Sequence, residues 1–170
     1  LGLSFALLLN SKGYDVLGCD INERYVDMLN DKTFNSNEPH INKLLENSTM
    51  RCTINTVDAL NHSDLIFIFV PTPSNPGGDY NHKYVDQVIS KIESNGIYNK
   101  TLVIGCTVMP YYCDRLQKRL SESNINVVYN PEFIAQGSII DGLKNADMVL
   151  IGGSAPQSIF DIYKAIMDKE

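Results

Sequence analysis

The sequence predicts an α/β fold: a doubly wound, mostly parallel sheet with helices on both faces. Short apolar runs at 65–70, 101–106, 125–129 and 148–151 have the form of strands covered on both sides. Between and after them, at 83–93, 114–121, 138–143 and 157–167, apolar residues return with helical spacing, and strand alternating with helix implies parallel pairing. Polar, proline and acidic residues follow the strands, in Asp20, Val70-Pro71-Thr72-Pro73, Cys106-Thr107-Val108 and Asn130-Pro131-Glu132-Phe133. Open α/β sheets carry their chemistry at the carboxyl ends of strands.

The elements follow in order. Leu3, Ala6, Leu7 and Asn10 keep helical spacing, and Gly13 stands where a left-handed cap would end that helix. A strand is expected at 15–19. Asn22 then caps a second helix with Tyr25, Val26 and Leu29 on one face. Glu38-Pro39 opens a short helical stretch through Leu44 and Leu45, with the proline in the first turn. Residues 51–54 suit a brief edge strand. Pro71, Pro73, Pro76, Gly77 and Gly78 fall between a strand and a helix, which makes them an active-face loop rather than a domain linker.

The 170 residues suit one domain, 1–170, with 44% hydrophobic and 20% charged side chains. A net charge of -6 repels polyanions, so nucleic acid is not an expected partner. Cys19, Cys52, Cys106 and Cys113 contain no C-x-x-C pair, and His40, His62 and His82 do not stand at metal-ligand spacing from them. Reduced thiols, no metal and a cytoplasmic location are expected. The longest apolar stretch, 65–70, is far short of the ~20 residues that cross a bilayer. The apolar opening at 1–9 lacks the basic flank and small-residue cleavage site of a secretory signal.

Gly2 precedes the first helix, and Asp20 ends the next strand 18 positions later, near the ~20-residue spacing of the dinucleotide-binding fold. A glycine lets that helix approach the sheet, the helix N-terminus favours a pyrophosphate, and the acid receives hydrogen bonds from ribose hydroxyls. A carboxylate there selects NAD over NADP by repelling a ribose phosphate. A helix-packing glycine and a solvated strand-end acid would give the same two residues, so other segments must decide.

They do so jointly. Gly2-Leu3, residues 16–20 and 26–30, Glu38-Pro39, Val70-Pro71-Thr72-Pro73, Tyr84-Val85, Thr107-Val108, and Asn130-Pro131-Glu132-Phe133 with Gly137 resemble, in order and spacing, the N-terminal NAD-binding domain of the UDP-glucose/GDP-mannose dehydrogenase family. The resemblance implies a Rossmann-like sheet and NAD-dependent, two-step oxidation of a nucleotide sugar's primary alcohol to the uronic acid, through a cysteine-bound thioester. It implies a UDP-sugar substrate, a role in polysaccharide biosynthesis and homo-oligomers. The nucleophilic Cys and the essential Lys and Asn belong to the family's C-terminal half, beyond this chain, as do the central helix and substrate domain.

By resemblance, Gly2, Asp20, Arg24, Tyr25, Pro71, Thr72, Pro73, Thr107 and Gln136 bind the cofactor. Thr107 and Glu132 are catalytic, the first through a hydroxyl that contacts nicotinamide and water, the second as acid-base and water-activating carboxylate. Glu132, Phe133, Ile134, Ala135 and Gln136 line the sugar-nucleotide site. Three departures stand out. Gln136 replaces a second Glu found in many members, Tyr25 (with Arg24 beside it) takes the place of a basic residue, and Pro110-Tyr111-Tyr112 replaces Pro-Gly-Thr. The tyrosines either narrow the nicotinamide pocket or pack a helix start. The family's first strand, with two further glycines, has no counterpart before Gly2, so Leu1 is not expected to be the natural start.

Cys106 occupies the position of a family Ser and is expected to be a small half-buried residue, not a nucleophile, because no base or cation is near it in sequence. The three histidines are expected at the surface, and Tyr84 and Val85 in the core. Two other functions stay open at this point: a non-catalytic dinucleotide-binding module, and a hydroxyacid-type NAD dehydrogenase, for which the Asn130-Pro131-Glu132-Phe133 segment has no evident use.

Overall fold

The structure is a computed structural model in which residues 1–167 are described. The chain forms two compact units. The first comprises Leu1–Ala59, Phe133–Val149 and the described residues from Pro156 onward, and the second Leu60–Glu132 with Leu150–Ala155.

In the first unit, α1 (Gly2–Ser11) buries Ser4, Phe5, Leu7, Leu8 and Leu9. It ends as expected. Gly13 takes φ +89°, and the Gly13 and Tyr14 N–H groups donate to Asn10 and Leu9 carbonyls. β1 (Leu17–Cys19) pairs in parallel with β2 (Arg51–Thr53), with α2 (Glu23–Asn30) and α3 (Ile41–Asn47) between them in sequence. The Asn22 side chain accepts from Tyr25 N–H at 3.1 Å, satisfying one orphan donor of α2. α3 starts after His40 (φ +69°), so Pro39 lies outside the helix and not in its first turn. Helix α1 packs on α3 and on two later helices of the same unit, α7 (Ile139–Lys144) and α8 (Gln157–Ile166). The rings of Phe5 and Tyr163 meet at 6.1 Å.

In the second unit, β3 (Leu65–Ile68), β4 (Thr101–Ile104) and β5 (Asn126–Tyr129) form a parallel sheet in that order. Its register aligns Leu65 with Thr101 and Asn126 at one end, and Ile68 with Ile104 and Tyr129 at the other. The connections are α5 (Lys83–Ser94), then α6 (Tyr112–Arg119) with a 3-10 turn at Ser121–Ser123. Val85, Ile89, Ile92, Leu102, Ile104, Leu116, Leu120 and Ile125 form its core. Removing a Leu or Ile from such a setting costs about 2–5 kcal/mol. Tyr84, expected beside Val85 in this core, is instead 38% exposed, because it flanks the buried stripe that Val85, Ile89 and Ile92 form on α5. A seven-residue helix absent from the sequence expectations, α4 (Thr56–His62), precedes β3.

Both sheets close an outer edge with a side-chain amide. Asn30 accepts from Cys52 N–H at 2.8 Å and donates to Cys52 O at 3.0 Å, as a neighbouring strand would. Gln117 of α6 does the same on β5, accepting from Val127 N–H at 2.8 Å and donating to Ile125 O at 2.9 Å. This explains why the strand expected at 148–151 does not form. Only Gly152 pairs with Tyr129, in antiparallel sense, and the next outward-facing amide of β5 is already bonded to Gln117. Asn130 and Asn126 hold the rest of that segment by donating to Leu150 O (2.9 Å) and Ser154 O (2.6 Å).

Replacing Gln117 by Ala strands a strand amide and a carbonyl. A loss of about 1–3 kcal/mol is expected, read as a lower denaturant midpoint at unchanged slope; an unshifted midpoint would remove the edge-closing role.

Candidate cofactor and catalytic site

Two groups of residues result. Gly2, Asp20, Arg24 and Tyr25 lie in the first unit, together with Phe133, Ile134, Ala135 and Gln136; Pro71, Thr72, Pro73, Thr107 and Glu132 lie in the second.

Gly2 is the first residue of α1, which has neither a side-chain cap at Leu1 nor an acidic residue in its first turn. The opening amides of a helix are donors without intrahelical partners, and this donor set suits a phosphate. Asp20 directly follows β1, its own N–H bonded to Thr53 O at 3.2 Å. One carboxylate oxygen accepts from Asn22 N–H at 2.9 Å, which fixes the group at the strand end. A carboxylate has about four acceptor sites, so capacity remains for two ribose hydroxyls. Phosphate-seeking amides and a strand-end acid together fit a dinucleotide such as NAD.

Tyr25 meets Phe34 edge to face at 5.0 Å. Burial, then the nearby Asp20 charge, pushes its phenol up, so a neutral side chain stands where the family pattern has a basic one. Arg24 is exposed in the first turn of α2. Gly18 allows β2 to come close, since a Cβ there would stand 3.0 Å from Cys52 Sγ. Burial, with Cys19 and Asp20 adding, raises the Cys52 thiol to about 11.

In the second unit, register aligns the strand ends that precede the candidate residues. Ile68, Ile104 and Tyr129 are in line, and the ladder extends one step further through Gly105 N–H to Ile68 O (3.0 Å) and Asn130 N–H to Ile104 O (2.9 Å). Thr72, Thr107 and Glu132 follow these strand ends by three or four residues, on one edge of one sheet. Gly105 is required there: a Cβ would meet the Phe69 ring at 2.2 Å. Thr107 is exposed and Glu132 half-buried. Glu132 is not a helix N-terminal acid, because α7 begins only at Ile139.

The loop after β3 is ordered within itself. Ser74 bridges Tyr80, Asn75 N–H donates to Asp79 O at 2.8 Å, and Asn81 N–H donates to Pro73 O at 2.9 Å. Cys106 is half-buried, and burial raises its thiol against opposing backbone hydrogen bonds. An elevated thiol is a poor nucleophile, in line with the packing role expected of it. All four cysteines are free thiols, and among the described residues no His, Cys, Asp and Glu cluster fits a metal ion.

The two tyrosines differ in their surroundings. Tyr112 packs the start of α6, buried, with its hydroxyl donating to Asp86 Oδ1 at 2.7 Å. Tyr111 is 76% exposed and takes φ +65°, a conformation that glycine adopts without cost. The family pattern has glycine at this place.

Glu38 has a structural role beside residues 133–136 that sequence reasoning did not assign. Its carboxylate accepts from Gly137 N–H at 2.5 Å and Ile139 N–H at 3.4 Å, capping α7 where Ser138 makes no side-chain cap. His40 Nε2 stands 3.3 Å from Asp141 Oδ1 beside it. Ile134 packs on Gly142, whose missing Cβ would come within 2.6 Å, while Phe133 is 66% exposed and Ala135 and Gln136 are exposed. Residues 133–136 are thus held from both ends. The signal was present as Glu38-Pro39, but a cap supplied from 99 residues away has no local signature. Replacing Glu38 by Ala is expected to cost about 1 kcal/mol, typical of a lost N-cap, and to speed hydrogen exchange at the Gly137 and Ile139 amides; unchanged exchange there would refute the cap.

Known proteins share this sequence pattern and fold. The model of the UDP-glucose/GDP-mannose dehydrogenase family, NAD binding domain, matches residues 1–169. The UDP-glucose 6-dehydrogenase of Rickettsia bellii is 28% identical over 92% of this chain and 38% of its own length, and that of Rattus norvegicus 29% identical over 89% and 35%. A ternary complex of GDP-mannose dehydrogenase from Pseudomonas aeruginosa superposes with a TM-score of 0.85 at 25% identity, over 98% of this chain and 42% of that one. The chain spans little more than a third of the curated relatives. It belongs to the UDP-glucose/GDP-mannose dehydrogenase family, as that family's NAD-binding domain.

Proposed function

We propose that this chain is the NAD-binding part of a nucleotide-sugar 6-dehydrogenase that oxidises the primary alcohol of a UDP-sugar to the uronic acid. One observation carries the reading: Thr107 and Glu132 each follow, by three residues, the ends of two register-paired parallel strands. A hydroxyl that donates and accepts is thereby brought to the same sheet edge as a carboxylate.

In this reading the α1 amides and Gly2 hold the pyrophosphate, Asp20 accepts from the adenosine ribose, and Pro71, Thr72 and Pro73 border the cofactor. Bound NAD supplies the hydride acceptor. Glu132 takes the proton released from the alcohol and later activates water, and Thr107 holds that water through its hydroxyl. Phe133, Ile134, Ala135 and Gln136 border the sugar nucleotide, and the thioester-forming cysteine comes from a C-terminal half. The whole protein is read as a cytoplasmic homo-oligomer acting in polysaccharide biosynthesis. Among the described residues no helix is long and apolar enough to cross a membrane. Gln136, which can hydrogen-bond but cannot take a proton, favours one competing reading, a non-catalytic dinucleotide-binding module.

Full-length protein given NAD with UDP-glucose, UDP-N-acetylglucosamine, UDP-N-acetylmannosamine or GDP-mannose is expected to form two NADH per sugar with one of the UDP-sugars. Turnover of GDP-mannose alone would correct the substrate class, and NAD binding without turnover of any sugar would support the non-catalytic module. Glu132→Gln is expected to lower kcat by roughly 10²–10⁴ with NAD affinity retained. Asp20→Ala is expected to weaken NAD by about 1.5–3 kcal/mol, the worth of hydrogen bonds to a charged group, measured by calorimetry; unchanged affinity would remove Asp20 from the cofactor site.

A further inference from the structure

His82 was expected at the solvated surface, and the structure gives it a structural partner instead. It stands immediately before α5, and its Nε2 accepts a hydrogen bond from Met109 N–H at 3.2 Å. Met109 lies two residues after Thr107, in a stretch with no helix or strand to hold it. The imidazole is fixed in turn. Its ring lies on that of Tyr112 at 3.9 Å between centroids, the Tyr112 hydroxyl donates to Asp86 Oδ1, and the Arg115 guanidinium stands 5.7 Å from the Tyr112 centroid. Four side chains from α5, α6 and the residue before α5 thus end in one hydrogen bond to the backbone beside Thr107.

We propose that neutral His82 is a positioning residue, which holds the turn after β4, and with it the Thr107 hydroxyl, through the Met109 amide, and that protonation of the imidazole releases this turn. The inference rests on reading Thr107 as the catalytic threonine of the dehydrogenase. Its chemical basis is simple: neutral imidazole offers one acceptor nitrogen, whereas imidazolium has two donors and no acceptor. A proton on Nε2 would set two N–H groups against each other.

The charged and titratable groups around His82 are Asp79 from the loop after β3, Asp86 from α5, and Tyr112 and Arg115 from α6. Burial and Arg115 disfavour the imidazolium and the two aspartates favour it, with burial the largest effect and the net direction downward from the usual 6.5. The neutral form therefore prevails at neutral pH. With the folded value below the unfolded one, the unfolded chain binds more protons in the interval between them. Stability consequently falls as pH drops below about 6.5 and levels off beneath the folded value.

The test uses the full-length protein, in wild type, His82→Phe and His82→Gln forms. Phe keeps a ring on Tyr112 and removes the acceptor, whereas Gln offers an acceptor oxygen that does not titrate in this range. Two readouts are taken across about pH 5 to 8: the hydrogen-exchange protection factor of the Met109 amide, and kcat and KM for the UDP-sugar. In wild type, protection and kcat are expected to fall together on acidification. His82→Phe is expected to lose the protection at all pH values and to lower kcat roughly two- to tenfold, the worth of one hydrogen bond, with KM for the sugar nearly constant. His82→Gln is expected to restore protection and part of kcat, and to flatten the acid limb. An active enzyme whose Met109 protection is the same in wild type and His82→Phe, or independent of pH, would overturn the positioning role alone. Normal pH-dependent protection without turnover of any nucleotide sugar would instead overturn the dehydrogenase reading on which the role rests.

Discussion

Parallel register is the constraint on which the placement of the candidate site residues depends. Because Ile68, Ile104 and Tyr129 are aligned across β3, β4 and β5, the loops that carry Thr72, Thr107 and Glu132 leave the sheet at the same end, although these residues lie 35 and 25 positions apart in sequence. A shift of one residue in any strand would turn its side chains to the opposite face. The buried Leu102, Val103, Ile104, Val127 and Val128 hold the register, and Gly105 admits the Phe69 ring at the point where the strands end.

Side-chain amides and carboxylates carry much of the remaining order. Gln117 and Asn30 close sheet edges, Asn130 and Asn126 hold the 150–154 segment, and Glu38 caps α7. Each satisfies backbone groups that would otherwise be left unpaired, a cost of about 1–3 kcal/mol apiece when buried. Unpaired strand edges also invite association, and in both sheets an α-helix supplies the residue that blocks one, Asn30 from α2 and Gln117 from α6.

The positions of the candidate residues were legible because they follow strand ends. Asp20, Thr107 and Glu132 stand after short apolar runs that do form strands, and Asn22 and Gly13 cap the helices they were expected to cap. Three of the misses, the run at 148–151, His82 and Glu38, share one physical cause, a partner remote in sequence. The run at 148–151 is as apolar as a strand, yet its pairing slot is taken by Gln117. His82 looked like a surface histidine until Met109 and Tyr112 were found against it. Pro39 falls outside α3, because His40 takes a left-handed conformation (φ +69°) and the helix starts only after it.

The sequence by itself determined the α/β alternation, the parallel pairing, the NAD-binding family and the residue types at each strand end, because periodicity, capping and turn chemistry act over a few residues. Tertiary structure alone decided which edges are closed, that Tyr112 packs while Tyr111 is exposed, that Glu38 secures residues 133–136, and that an imidazole holds the backbone beside Thr107. Those outcomes depend on hydrogen bonds between residues 8 to 101 positions apart, whose partners local pattern cannot specify.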